Sequence, residues 1–277
     1  MHKIGIIGFG NMGQAIAEQL KTDHEIFCFD KEKVKTNNFG GVEVTATIPE
    51  LLDKSEVVIL AVKPKDFEHL LKEIRSYPHL LDKIFISIAA GISTHYIEKA
   101  LGVVRLIRVM PNLAVKIGEG VSCLCHGKYA TVEDFDLAES LFRYMGQTLI
   151  IEENKMDAAT AISGSGPAFY FDIVEANYDI YKKNTEQILK EFILSLMEAA
   201  EDVGFSHDEA VILTAGTGTA AQHLINKTKL PLAELKRQVT SKGGTTEAGL
   251  DVLHKTESLL EAVRAAKKRA TELSKLA

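Results

Sequence analysis

The residues with the most specific chemical spacing lie at the start of the chain. Gly8-Phe9-Gly10-Asn11-Met12-Gly13 is a G-x-G-x-x-G pattern, placed directly after an apolar β run, Lys3 to Ile7, and directly before a stretch of helical spacing, Asn11 to Leu20. In that context the chemistry is dinucleotide binding. Gly8 permits a tight turn, Gly10 lets backbone approach a pyrophosphate without a Cβ in the way, and Gly13 allows close helix–strand packing. The helix N-terminus then offers free N–H groups to the anion. Asp30 ends the next β run, where an acid commonly accepts hydrogen bonds from the adenosine ribose and repels a 2′-phosphate. Lys31, Lys33 and Lys35 follow it and could instead hold that phosphate, so NADH and NADPH both stay open as cofactors. Far downstream, Gly243-Gly244-Thr245-Thr246 opens a helix. Its N–H groups could form an anion nest, or Thr could serve as an ordinary helix cap.

These residues need elements to position them. Glu25 to Phe29, Val57 to Val62, Lys83 to Ile88, Val103 to Val109, Gly120 to Cys125 and Gln147 to Ile151 read as strands, with a helix over Val132 to Tyr144. Continuous apolar runs such as Val57 to Val62 suit a parallel sheet buried on both faces. Strands alternating with helices predict an α/β fold, a doubly wound parallel sheet of the Rossmann type. Ala61-Val62-Lys63-Pro64 and Ala89-Ala90-Gly91 then fall just past the carboxyl ends of strands, where such sheets place their ligands. After about residue 152 the β signal stops. The reading is therefore a dinucleotide-binding domain over 1–152 and an all-α domain over 153–277. Asp172 to Leu196 is apolar on several faces, as a helix buried in a bundle or subunit interface would be.

Composition narrows the function classes. The chain has 277 residues, 46% hydrophobic and 25% charged, with a net charge of −6. An acidic balance without a basic block argues against nucleic acid as a partner. No apolar run is long enough to span a bilayer, and Met1-His2-Lys3 leads straight into a strand, which argues against a membrane and against secretion. Three cysteines suit a reducing, cytoplasmic setting better than a disulfide framework. Cys123 and Cys125 alternate onto one strand face and lack a partner set, so no metal site is expected. Lys267-Lys268-Arg269 reads as a solvated helix face.

Five further segments, taken in order, resemble the pyrroline-5-carboxylate reductase family. They are Ala61 to Pro64, Ser87-Ile88-Ala89-Ala90-Gly91, Arg108-Val109-Met110-Pro111-Asn112, Ser163-Gly164-Ser165-Gly166-Pro167-Ala168 and Thr240-Ser241-Lys242-Gly243-Gly244-Thr245-Thr246. The resemblance implies a Rossmann domain followed by a helical dimerisation domain, and NAD(P)H-dependent reduction of a cyclic imine. It implies cofactor contacts at Gly8 to Gly13, Asp30, Lys31, Ala61 to Pro64 and Ala89 to Gly91. It places the substrate at Ser241, Gly243, Gly244, Thr245 and Thr246, with Glu153 and Thr160 lining the same side and Thr246 contacting the ring nitrogen as the catalytic residue. It also implies a homodimer whose active sites lie between one subunit's Rossmann domain and its partner's helices.

The chain departs from that pattern in several places. Leu113-Ala114 stands where Thr-Pro is usual, Lys242 replaces a proline, and Ile48 occupies the place of a polar cofactor contact. The stretch between Ala168 and Gly204 is longer by about one helix, Asn184 to Val203, and the segment after Leu253 looks shorter. Two other readings follow from these differences: a dinucleotide-binding paralogue without catalysis, or a reductase of another imine or of a hydroxy or keto acid.

Overall fold

The computed structural model describes residues 1–36 and 39–276. Eight strands, β1 Lys3–Ile7, β2 Glu25–Phe29, β3 Glu43–Val44, β4 Val57–Leu60, β5 Ile84–Ser87, β6 Arg105–Met110, β7 Gly120–His126 and β8 Gly146–Ile150, form one sheet. Its order is β3-β2-β1-β4-β5-β6-β7-β8. Strands β1 to β6 run parallel, and their side chains alternate between two buried layers. On one face Ile4, Ile6, Val57 and Ile59 pack with residues of α1 (Asn11–Leu20) and α5 (Val132–Arg143). On the other, Ile7, Val58 and Leu60 pack with residues of α2 (Ile48–Lys54), α3 (Phe67–Arg75) and α4 (Thr94–Leu101). Burial on both faces is why these strands read as unbroken apolar runs.

The expected doubly wound sheet is mostly parallel, with one exception. β7 runs antiparallel to β6, and β8 pairs parallel with β7. A parallel neighbour needs a long crossover, whereas an antiparallel one needs only a short connection. The connection here is a 3₁₀ turn, Leu113–Ile117, closed by Gly118 at φ +71. The side-chain oxygen of Asn112 accepts from the N–H groups of Ala114 and Val121, each at 3.2 Å, which ties the turn to the start of β7. Leu113 and Ala114 are buried and anchor it.

From Glu153 to the end of the described chain every element is helical. α6 (Met156–Ala159) passes into a π-helical turn, Thr160–Gly164, and then into α7 (Gly166–Ala176). α8 (Tyr178–Lys183), α9 (Thr185–Asp202), α10 (His207–Thr228), α11 (Leu232–Val239), α12 (Thr245–Thr256) and α13 (Leu259–Leu276) follow. The apolar stretch over Asp172 to Leu196 is therefore three helices, not one. It breaks at Asn177 and Asn184, whose backbones leave the helical region, and the Asn184 side chain caps α9 by accepting from the Gln187 N–H at 3.3 Å. α7 is the central helix: Phe169, Tyr170 and Phe171 have no exposed surface. Its core is continuous with one face of β7 through Val121, Cys123 and Cys125. Among the described residues no helix is long and apolar enough to cross a membrane.

Candidate active site

The glycine pattern sits in the turn between β1 and α1. Gly8 has φ +97, and a Cβ there would lie 2.7 Å from the carbonyl carbon and oxygen of Ala61, at the end of β4. A Cβ on Gly13 would lie 2.2 Å from the Gly8 carbonyl oxygen, whereas one on Gly10 would face open space. Thus two glycines are required by packing, and the third leaves room above the helix. Gly10 is the N-cap of α1 and supplies no side-chain cap, so the N–H groups of Asn11 and Met12 have no intrahelical acceptor. They face a cavity of about 410 Å³ lined in part by Gly8, Asp30, Lys31, Ala61, Val62 and Lys63. The open side of Gly10, the uncapped helix and this cavity together fit a dinucleotide's pyrophosphate and adenosine half. Ile48 lines the same cavity as an apolar wall.

The charges at the floor of the cavity are already engaged. Asp30 accepts from the Phe9 N–H at 2.7 Å and from the Glu32 N–H at 2.8 Å, which pins the β2 loop to the glycine turn. Lys31 pairs with Asp66 at 2.7 Å and holds that carboxyl below its usual range. Lys35 pairs with Glu32 at 2.9 Å and lies 3.7 Å from Asp30. Phe9 is fully buried, and its ring packs edge-on against Phe39. Pro64 opens a short 3₁₀ turn that leads into α3.

Ala89, Ala90 and Gly91 follow β5 and lie against the end of the chain. Gly91 has φ +76, and a Cβ on it would meet the Ser274 nitrogen at 3.4 Å and Leu273 beyond. The candidate substrate residues gather nearby. Ser241 and Gly243 are exposed on the loop before α12, and Gly244 is its N-cap without a side-chain cap. The Gly243 N–H donates to Glu247 at 2.7 Å, and the Gly244 N–H donates to the Ser241 carbonyl at 2.9 Å. The first-turn N–H groups of Thr245 and Thr246 therefore remain for an anion. Thr246 is buried, and its hydroxyl lies 3.1 Å from the Ser165 hydroxyl and 3.2 Å from the Val239 carbonyl. Thr245 is 3.3 Å from the same Ser165 oxygen.

The two expected substrate-side residues, Glu153 and Thr160, both have partners within the chain. Glu153 accepts from the Thr94 N–H at 2.7 Å, the Thr94 hydroxyl at 2.6 Å and the Arg108 guanidinium at 3.1 Å. Its carboxylate clamps the segment after Gly91 to β6. The Thr160 hydroxyl donates to the Met156 carbonyl one turn back at 2.9 Å. Conversely, Ser165 joins both threonines, and Asn112 donates to Ser163 at 3.2 Å, linking the end of β6 to the π-helical turn. Both lie in segments that resemble the family, but type and spacing alone assign neither a role, because lone Ser and Asn have many local uses. Arg269 is likewise more than a solvated charge: its Nε donates to the Gly243 carbonyl at 2.9 Å.

Comparisons with known proteins give the family. Residues 3–91 match the family described as NADP oxidoreductase coenzyme F420-dependent, and residues 188–273 match pyrroline-5-carboxylate reductase dimerisation. The pyrroline-5-carboxylate reductase of Aquifex aeolicus (strain VF5) is 34% identical over 91% of this chain and 88% of its own. That of Arabidopsis thaliana is 34% identical over 98% and 95%. The chain belongs to the pyrroline-5-carboxylate reductase family. Among solved structures, the Plasmodium falciparum pyrroline carboxylate reductase with NADP bound superposes with a TM-score of 0.63 at 27% identity, covering 99% of this chain and 98% of that one. Members of the family are NAD(P)H-dependent oxidoreductases, and the Rossmann domain followed by a helical domain is the fold they share with this chain.

Proposed function

We propose that the protein reduces 1-pyrroline-5-carboxylate to L-proline with NADH or NADPH, the last step of proline biosynthesis. Family membership supports the reaction. The observation that carries the site assignment is the buried Thr246 hydroxyl at the first turn of α12, held on Ser165 beside uncapped N–H groups. In this reading Thr245 and Thr246 hold the substrate carboxylate through their N–H groups, with the α12 dipole adding a favourable field. Thr246 directs its hydroxyl to the ring nitrogen and so orients the C=N bond. Bound NAD(P)H supplies the hydride. The turn at Gly8 to Gly13 holds the pyrophosphate, Asp30 and Lys31 border the adenosine ribose, Ala61 to Pro64 wall the cofactor, and Ala89 to Gly91 face the nicotinamide. An imine protonated in solution is already a strong hydride acceptor, which is consistent with a site of hydroxyls and N–H groups.

The same reading divides the chain into a cofactor domain, 1–152, and a substrate and dimerisation domain, 153–277. It makes the protein a cytoplasmic homo-oligomer that acts on a small molecule, with no nucleic acid or membrane partner. The dimerisation match over residues 188–273 supports self-association. The test follows loss of reduced-nicotinamide absorbance with and without the imine. Imine-dependent oxidation is expected, and Thr246→Ala lowers kcat about 100-fold or more, as loss of one transition-state donor does, while dinucleotide binding is retained. Equal turnover by this variant overturns the role of Thr246. Dinucleotide binding without oxidation of either cofactor would move the assignment to a non-catalytic paralogue.

A further inference from the structure

The loop from Ala89 to Gly91, set against the nicotinamide in the reading above, is tied at both ends. At its entry the Ile88 N–H donates to the Leu60 carbonyl of β4 at 3.1 Å. Gly91 then turns the chain at φ +76, and the Ile92 N–H reaches back to the Ala89 carbonyl at 3.4 Å, a long bond. At its exit Ser93 caps α4, accepting from the Tyr96 N–H at 3.1 Å. Thr94 follows as the first helical residue, buried, with an N–H that has no acceptor inside the helix.

That exit is held by Glu153, the residue at which the helical half begins. One carboxylate oxygen accepts from the Thr94 N–H at 2.7 Å, and the other accepts from the Thr94 hydroxyl at 2.6 Å. Two bonds from one carboxylate to one residue fix direction as well as distance. The α4 dipole favours an acid at this end. Arg108 at the end of β6 in turn holds the carboxylate, 3.1 Å from the oxygen that takes the Thr94 N–H. The residues opposite Arg108 in register are Ser87 on β5 and Cys125 on β7, a hydroxyl and a thiol that burial keeps protonated. Neither meets a buried guanidinium's charge, so Arg108 keeps Glu153 turned inward onto Thr94.

We infer that Glu153 is a positioning residue for the nicotinamide end of the cofactor: acting through Thr94 and backed by Arg108, it sets the angle at which the loop from Ala89 to Gly91 meets the ring. This role differs from the substrate contact that the resemblance implies. It rests on the placement of the nicotinamide in the proposed function, and it can be read from binding as well as from turnover.

Thr94→Val removes the hydroxyl donor and leaves Glu153 on Arg108, whereas Thr94→Ser keeps the hydroxyl. Affinities of the full-length variants are measured for NADH against ADP-ribose and for NADPH against 2′-phospho-ADP-ribose. The members of each pair differ only by the nicotinamide, so their ratio reports contacts to that ring. In Thr94→Val the affinity for the reduced dinucleotide is expected to weaken about fivefold, the scale of one net hydrogen bond, with the ADP-ribose affinity unchanged. Imine kcat should fall about tenfold or more while the imine KM moves less than about twofold, as a misplaced hydride donor requires. Thr94→Ser should restore both. Glu153→Gln, which leaves Arg108 without its anion, should lower the affinity ratio as well. An unchanged ratio in Thr94→Val or Glu153→Gln overturns the inference. So does an equal loss for ADP-ribose, which general loosening of the domain would give, or a wild type that binds both members of a pair equally. A wild type that binds the dinucleotides but reduces no imine removes the proposed reaction, while the affinity ratios still decide the role of Glu153.

Discussion

Glu153 and Asp30 are both acids whose oxygens are occupied by neighbours, and each makes a measurable prediction. Arg108 is 5% exposed, and Glu153 is its ion-pair partner. Glu153→Ala leaves that guanidinium buried without an anion and also frees the Thr94 N–H. A wholly buried pair broken this way costs about 3–5 kcal/mol, and with Glu153 itself a third exposed the expected loss is about 2–3 kcal/mol in urea unfolding. A loss below about 0.5 kcal/mol, the scale of a neutral surface change, rejects the clamp. The Asp30 side chain lies at the floor of the adenosine cavity, where a 2′-phosphate would crowd it with further negative charge. Asp30→Asn keeps one acceptor for the Phe9 N–H and removes the repulsion. The ratio of kcat/KM for NADPH to that for NADH should rise about tenfold, equivalent to about 1.4 kcal/mol, measured with the imine saturating. An unchanged ratio rejects Asp30 as the source of cofactor selectivity.

At the scale of elements, the first half of the chain was legible because each strand is an apolar run bounded by turn residues. β1, α1 and β2 have the bounds that their patterns predict. The direction of β7 was not legible, since hydrophobic alternation carries no information about a neighbour's sense; the Asn112 contacts that set it are long-range in effect and local in sequence. The break of the 172–196 stretch was equally hidden, because its apolar residues continue through Asn177 and Asn184 as if one helix ran on. At the site, glycines were readable from φ demands and close approach, while Glu153 and Arg269 took their roles from partners distant in the chain. β7 also carries a consequence for pH. Burial pushes the thiols of Cys123 and Cys125 to about 12 from an ordinary 9.0, and Cys28 on β2 to about 11. Unfolded thiols ionise from about pH 9 while the native ones stay protonated, so the unfolded chain binds fewer protons there and stability falls as pH rises. Each thiol contributes a slope of up to about 1.4 kcal/mol per pH unit between about 9 and 11. Unfolding in urea at pH 8, 9 and 10 should show the fall, and Cys123→Ala should remove about a third of it. A slope unaltered by that change excludes the thiol as its source.

Over the whole molecule, the cofactor domain and the helical domain share a core. Leu113, Val121, Cys123, Cys125 and Ile151 come from the sheet side and pack with Phe169, Phe171, Leu196 and Leu213. A fragment ending at residue 152 would expose that face of the sheet. Burial of a large apolar side chain is worth about 1.5–3 kcal/mol, so Leu113, Val121 and Ile151 alone amount to about 5–9 kcal/mol, comparable to the whole stability of an ordinary domain. The fragment 1–152 is therefore expected to lack a cooperative thermal transition and to bind a dye specific for exposed apolar surface, whereas the full chain melts in one transition. Changing Val121, Cys123 and Cys125 together to Thr, Ser and Ser in the fragment should reduce the dye signal while leaving β1 to β5 unaltered. A fragment that melts cooperatively and binds dinucleotide as the full chain does would mean that the shared core is a docking surface between two independent folds. In that case the helices could leave the sheet without unfolding it, and only Arg264, Lys267 and Asp157 would pin α13 in place.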